Sequence, residues 1–304
     1  MCRRQTRRCS FCAFIERGGL IAPSKNRLII FSKGLAMGAA EIIPGISGGT
    51  IALILGIYKR LIIAISSIDH NLLRKLLKVE YRNVWSIIDG NFLLFLGLGM
   101  ISSVYILSNL ILFLMLSFPI FFKSFLSSLL FSSLFIEPLK QEFRKELIIG
   151  LLVSGSLCAV ILFSPSATFD NVTGFYIFIS GFIAISALVV PGISGSFILV
   201  LLGSYPFLIE AVSNLDVVRI SYFLVGALLG LFTIVRVIRK YYEENETQLL
   251  SIFFGLVLFS IPLIWKANSI SQVSPVLSQD FISIILGLFT GALIMYSFSK
   301  LKNN

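Results

Sequence analysis

Charge is scarce in this chain. Only 13% of its 304 residues are Asp, Glu, Lys or Arg, against 57% that are hydrophobic, whereas soluble domains carry roughly a quarter charged residues. A soluble globular fold is therefore excluded, and no long polar segment is available for a separate soluble domain. Histidine is nearly absent, with His70 alone. That leaves no His-x-x-x-His metal pattern and no Ser/His/Asp set, and no Gly-x-x-x-x-Gly-Lys nucleotide loop occurs. Catalytic residues, a metal and a cofactor are not expected, nor is ATP turnover. Cysteine is limited to Cys2, Cys9, Cys12 and Cys158, and Cys9-x-x-Cys12 has no further ligands nearby, so free cytosol-facing thiols are the expectation. Acids are outnumbered, 15 against 25 bases. In so apolar a chain the excess reads as a positive-inside bias and attraction to membrane lipids, with no nucleic acid partner.

What the chain has is a duplication. Glu41-Ile-Ile-Pro44-Gly45-Ile-Ser47-Gly48-Gly49-Thr50 continues through Gly56 to Tyr58, and Leu188-Val-Val-Pro191-Gly192-Ile-Ser194-Gly195-Ser196 continues through Gly203 to Tyr205. Pro, Gly, Ser and Tyr all keep one offset (191 − 44 = 147). Gly34/Gly181 extend the register backward and Leu61/Leu208 extend it forward.

Residue type says what the shared core does. Proline lacks a backbone donor and clashes with the preceding turn, while glycine permits positive φ, so Pro44 and Pro191 break a helix. Free amides start the next apolar run, beside the hydroxyls of Ser47, Thr50, Ser194 and Ser196. Broken backbone in hydrocarbon must be buried in protein or line a wet cavity, and a helix start with free amides suits an anion. Close helix packing through small residues is the competing reading; it accounts for Gly34, Gly38, Gly56, Gly181 and Gly203, and less well for the two breaks.

Residues 1–27 carry Arg3, Arg4, Arg7, Arg8, Arg17, Lys25 and Arg27 and read as a disordered, basic, cytosolic tail. The repeat pattern begins only near Leu28, so a start codon further along the chain is a second reading of that tail. Residues 28–165 form the first membrane repeat and 166–304 the second. In the first, Leu28 to Ile43 and Ile46 to Ile65 flank the break, His70 to Gly90 is amphipathic and surface-lying, and Phe92–Leu116, Ile120–Ile136 and Leu147–Phe163 are spans. The second has Phe175–Val190 and Ile193–Val212 around its break, then Tyr222–Ile238, Leu249–Trp265 and Phe281–Phe298.

Five segments per repeat is an odd number, so the second copy inserts upside down. The fold class expected is an all-α polytopic membrane protein of two inverted repeats, each with a re-entrant or discontinuous helix pair broken at Pro-Gly, an architecture of secondary transporters. With both termini cytosolic, the inside segments hold Arg74, Lys75, Lys78, Arg82, Lys140, Arg144, Lys145, Arg239, Lys240, Lys300 and Lys302. Arg219 is outside, with Lys123 and Lys266 near the boundary, which agrees with the positive-inside rule.

Three features can carry chemistry. The paired loops, Gly45, Ser47, Gly48, Gly49 and Thr50 with Gly192, Ser194, Gly195 and Ser196, are a candidate anion cradle. Glu41, whose counterpart is Leu188, is an intramembrane carboxylate and so a functional candidate, either for proton coupling or as the partner of a buried cation such as Lys33 or Arg236. Arg236 can neutralise a phosphate or snorkel to the interface.

At these residues the chain resembles the PopT-type polyprenyl-phosphate transporters of bacteria and archaea, a family long known only as a domain of unknown function. The resemblance rests on Gly38-Ala-Ala-Glu41-Ile-Ile-Pro44-Gly45-Ile-Ser47-Gly48-Gly49-Thr50 through Gly56-Ile-Tyr58, and on Val190-Pro191-Gly192-Ile-Ser194-Gly195-Ser196-Phe-Ile-Leu. It runs from about Leu28 toward the C-terminus through Gly226-Ala-Leu-Leu-Gly230 and Arg236. It implies a multi-pass protein of the cytoplasmic membrane that returns undecaprenyl phosphate to the cytosolic leaflet for peptidoglycan and other envelope polymers. Glu41 stands where the family more often has Asp, and the tail to Arg27 lies outside its pattern. A secondary transporter for a small soluble anion is the alternative, and a lipid-phosphate enzyme a weaker one.

Overall fold

The structure is a computed structural model that describes residues 24–43, 46–68, 81–142, 144–163, 172–266 and 277–303. Among these residues it is all helical. The first half contains α1 (Ser24–Ile42), α2 (Gly48–Ile54), α3 (Tyr58–Ser66), α4 (Tyr81–Ile87), α5 (Gly90–Ser117), α6 (Pro119–Ser133) and α7 (Lys145–Phe163). The second contains α8 (Gly174–Val189), α9 (Gly195–Leu201), α10 (Tyr205–Ser213), α11 (Val217–Glu244), α12 (Glu246–Lys266) and α13 (Leu277–Asn303). Outside the described residues lie the tail with Cys2, Cys9 and Cys12, the pair Pro44 and Gly45, and most of the basic amphipathic segment, His70, Arg74, Lys75 and Lys78 included.

Apart from α4, the described helices of the two halves match element for element. Helices α2 and α9 have 7 residues each and α3 and α10 have 9 each, at the offset of 147 (195 − 48, 205 − 58). Helices α5 and α11 have 28 each and begin after Asp89 and Asp216, at an offset of 127 (216 − 89). The difference of 20 residues (147 − 127) is an insertion in the first half that includes α4.

Each apolar run after a break holds a second break. Ile46–Ile65 and Ile193–Val212 were expected to continue without interruption. Instead α2 and α3 meet at 119°, and α9 and α10 at 106°. The cause is Gly56 at φ 70 and Gly203 at φ 65, a left-handed conformation that glycine adopts without penalty and that ends a helix. These two glycines turn the chain and do not serve helix packing. Gly34, Gly38 and Gly181 do serve packing, since a Cβ on any of them would run into the backbone of Leu96, Met100 or Phe223.

Contacts fix the direction of each helix pair. Lys33 of α1 reaches Leu55 after α2, and Glu41 near the end of α1 reaches Gly48 at the start of α2, so these two run antiparallel as a hairpin. Tyr176 of α8 reaches Leu202, and Ala184 lies against Gly195, so α8 and α9 form the matching hairpin. The long helices pair in parallel. Gly34 and Gly38 of α1 face Leu96 and Met100 of α5, while Phe178 and Phe182 of α8 face Gly226 and Gly230 of α11. The last two helices of each half pair with the other half. Phe121 and Phe125 of α6 face Gly287 and Gly291 of α13, and Gly150 and Ser154 of α7 face Ser251 and Gly255 of α12.

Among the described residues four helices, α5, α11, α12 and α13, are long and apolar enough to cross a membrane, or six segments if each bent pair counts as one. Helix α6 has only 15 residues, short of the roughly 20 that a span needs. Bases gather at one end: Lys59 of α3 pairs with Glu246 of α12 at 3.1 Å, Arg60 with Asp89 at 2.6 Å, and Arg239 of α11 donates to Ser66 of α3 at 3.2 Å. Beside them, Lys140 and Arg144 line an open polar pocket with Thr247 and Ser251 of α12. Cys158 is buried in α7.

Candidate functional site

The two breaks come together, and hydroxyl groups of the first hairpin make the connection. Ser47 Oγ donates to the Leu188 carbonyl at 2.7 Å, Tyr58 Oη donates to the Val189 carbonyl at 2.9 Å, and Thr50 Oγ1 accepts from the Gly192 N–H at 2.8 Å. All three hydroxyl-bearing residues are buried. The local reason is backbone supply: the last carbonyls of α8 and the amide after Pro191 have no partner inside their own helices. Bonds across the breaks satisfy them away from water, where an unpaired group would cost several kcal/mol in hydrocarbon.

Within the first break the amides are already engaged. Ser47 is the N-cap of α2, with extended backbone (φ −107, ψ 136), and its Oγ accepts from Gly49 N–H at 3.1 Å, the usual capping geometry. Gly48 N–H donates to Glu41 Oε1 at 2.8 Å. The carboxylate thus occupies the positive end of α2. Lys33 Nζ donates to the Leu55 carbonyl at 2.9 Å at the other end. An acid at the start and a base at the finish both suit the helix dipole, and both come from α1, so α2 is clamped along it. Glu41 was considered as the ion-pair partner of Lys33 or Arg236; its described partner is the Gly48 amide, and Lys33 serves a carbonyl.

The second break is built differently: residue 188 is Leu, so this position supplies no carboxylate to the start of α9. Ser194 caps α9 by position but makes no side-chain capping bond; its Oγ lies 3.0 Å from Ser196 Oγ. Gly192 has φ 89. A small pocket lined by Ile161, Gly192, Ile193, Ser194, Phe197 and Leu263 opens at this break, between α7, α9 and α12.

Arg236 is not brought to the breaks by its described contacts. Its guanidinium donates to the Phe232 carbonyl at 3.1 Å and to the Ile68 carbonyl at 3.0 Å, beyond the end of α3. It is exposed. Tyr58 is the junction residue that composition and motif left without a role. Its ring lies edge-on to Phe253 at 5.5 Å and tilted against Tyr242 at 6.3 Å, which carries its hydroxyl to the second break. Its duplication as Tyr205 was the available signal.

The comparisons agree on one family. The sequence family described as VCA0040-like, undecaprenyl phosphate translocase-like, matches residues 37–280, which takes in both breaks. A polyprenyl-phosphate transporter of Vibrio cholerae serotype O1 is 34% identical over 264 residues, covering 84% of this chain and 85% of the relative. A polyprenyl-phosphate transporter of Staphylococcus aureus is 29% identical over 249 residues, covering 75% of this chain and 83% of the relative. Both relatives are named as transporters and neither as an enzyme. No solved structure matches the chain. A match over far more than half of its length, with both duplicated motifs inside it, makes this chain a member of the undecaprenyl phosphate translocase-like family.

Proposed function

We propose that this protein carries a polyprenyl phosphate, undecaprenyl phosphate above all, from the outer to the cytosolic leaflet of the cytoplasmic membrane, as a flippase that recycles the lipid carrier for peptidoglycan and related polymers. The observation that carries the reading is the junction of the two breaks through Ser47, Thr50 and Tyr58. An anionic headgroup must cross hydrocarbon while its tail stays in lipid. A polar junction between two helical hairpins is suited to the headgroup, and membership of the family supports the lipid.

Inverted repeats are supported by the exchanged pairing. Helix α5 is about 42 Å long at 1.5 Å per residue, so a span that follows it must return. Taking α6 and α7 as spans beside their partners, consecutive spans alternate in direction, so α6 opposes α7. Because α6 runs parallel to α13, the counterpart of α7, the second half is reversed. The α1–α2 and α8–α9 hairpins are then re-entrant from opposite sides and meet at their tips. Orientation follows the charges: the end holding Lys59, Arg60, Lys140, Arg144 and Arg239 is cytosolic, and the end where Arg219 pairs with Asp216 and Glu210 is external.

In this reading Gly45, Ser47, Gly48, Gly49 and Thr50 with Gly192, Ser194, Gly195 and Ser196 form the phosphate site, entered from the Ser194 and Ser196 side, where Ser196 is exposed. Arg236, at the cytosolic end, takes the phosphate on its release. Glu41 couples the cycle to protons by leaving and regaining the Gly48 amide. The test measures surface exposure of undecaprenyl phosphate in cells depleted of this protein and of redundant carrier flippases. Exposure should rise, and wild type but not Ser47→Ala/Ser194→Ala should reverse it. Unchanged exposure with confirmed expression would remove the lipid and leave a small soluble anion as substrate.

A further inference from the structure

The two halves share their polar motif but do not share its contacts. Ser47 and Tyr58 of the first half hold the carbonyls of Leu188 and Val189. The reciprocal pairs, at the offset of 147, would be Ser194 on the Glu41 carbonyl and Tyr205 on the Ile42 carbonyl. Neither is made: Ser194 faces Ser196, and Tyr205 is 40% exposed where Tyr58 is 1% exposed. The asymmetry extends to whole helices. Every residue of α2 is buried, but only Gly195 and Ile198 of α9. Tyr58, Ile62, Ala64 and Ser66 of α3 are buried, but only Ala211 of α10.

Resting on the transport reading above, we infer that this is the outward-open state of the protein and that Tyr58 and Tyr205 are alternating latches, Tyr58 on Val189 sealing the cytosolic side and Tyr205 on Ile42 sealing the external side. Two halves of like sequence in opposite orientation can exchange their conformations, and the exchanged molecule faces the other way. In that state α9 and α10 pack inward, α2 and α3 loosen, and Tyr205 finds the terminal carbonyls of α1. The last carbonyls of a helix are acceptors for which the helix itself supplies no donor. Two features do not exchange. Thr50 corresponds to Phe197, and Glu41 to Leu188, so the Thr50–Gly192 and Glu41–Gly48 bonds have no reciprocal and favour the outward-open state at rest. Binding of the phosphate at the breaks must supply the difference in free energy for the change.

The test uses one conservative pair, Ser66→Cys and Ser213→Cys, placed singly in the full chain freed of its own four cysteines. Ser66 is buried in α3 and its counterpart Ser213 is exposed in α10. Reconstituted in phosphatidylethanolamine/phosphatidylglycerol vesicles, Ser213→Cys should react quickly with an impermeant maleimide from the external side and Ser66→Cys slowly from the cytosolic side. Adding Tyr58→Phe should raise the Ser66→Cys rate and lower the Ser213→Cys rate together, by about 2- to 10-fold, the range that one net hydrogen bond commands. Tyr205→Phe should not move either rate in that direction. If Tyr58→Phe raises both rates, or neither, the latch is overturned and Tyr58 is a packing residue. Undecaprenyl phosphate in the vesicles separates the two ideas. A lipid response without the reciprocal Tyr58→Phe effect overturns the latch and leaves the substrate standing; the reciprocal effect without a lipid response keeps the latch and removes the substrate.

Discussion

Thr50 offers the sharpest single perturbation of the junction between the halves. Its Oγ1 accepts the Gly192 N–H at 2.8 Å, and both residues are buried. Thr50→Val keeps the shape and removes the acceptor, so the amide is left buried without a partner. A group orphaned in this way costs about 1–3 kcal/mol. Thr50→Ser keeps the oxygen and loses one methyl group, a cost of about 0.8 kcal/mol by apolar burial. The order of stability is therefore wild type, then Ser, then Val, although Val is the closer isostere. Thermal unfolding in detergent, followed by the fluorescence of Trp85 and Trp265, reads the difference. At about 2–4 °C per kcal/mol for chains of 150–250 residues, Val should melt roughly 2–12 °C below wild type, toward the lower end for this longer chain. Equal melting of Val and wild type, or Val above Ser, would refute the bond as a structural connection between the breaks.

Other substitutions test neighbouring parts of the argument. Glu41→Gln keeps an oxygen for the Gly48 N–H but cannot ionise; carrier recycling should fall and lose its pH dependence, and an unchanged pH profile sinks the coupling role. Gly192→Ala must adopt φ 89 and would press its Cβ within 2.6 Å of the Leu256 backbone. Left-handed strain of about 1–2 kcal/mol joined to about 1–3 kcal/mol of overpacking should sharply lower folded yield. Gly97→Ala, with nothing within 4 Å of the new Cβ, should express like wild type in the same assay. The pair Lys59 and Glu246 is half exposed, so breaking it with Lys59→Ala should shift stability by less than about 1 kcal/mol, and a larger loss would mean that this end of the molecule is held by charge.

Much of the architecture was legible in the amino acids because it is local chemistry. Proline followed by glycine breaks a helix, so the two Pro-Gly steps in the sequence announced an interruption between Ile42 and Gly48 and another between Val189 and Gly195, and the constant offset exposed the duplication. The bends at Gly56 and Gly203 were misread as packing positions. Glycine serves close approach and positive φ equally well, and nothing in the neighbouring residues says which. Parity and charge suggested inversion, but the exchange of α6 and α7 with α13 and α12 has no one-dimensional signal, since none of these helices sets one apolar face against a polar one.

The site divides along the same line. Sequence alone determined that two polar breaks lie in an apolar chain and that their backbone groups need partners, because desolvation leaves no other outcome. Only the tertiary structure decided which partners they took. Glu41 went to the Gly48 amide and Arg236 to the Ile68 carbonyl, and Tyr58 was buried while Tyr205 stayed exposed. Those choices depend on which of several polar groups, far apart along the chain, the packing brings within about 3 Å. Near-identical motifs were given unequal contacts because two copies meeting at one junction cannot both fill it.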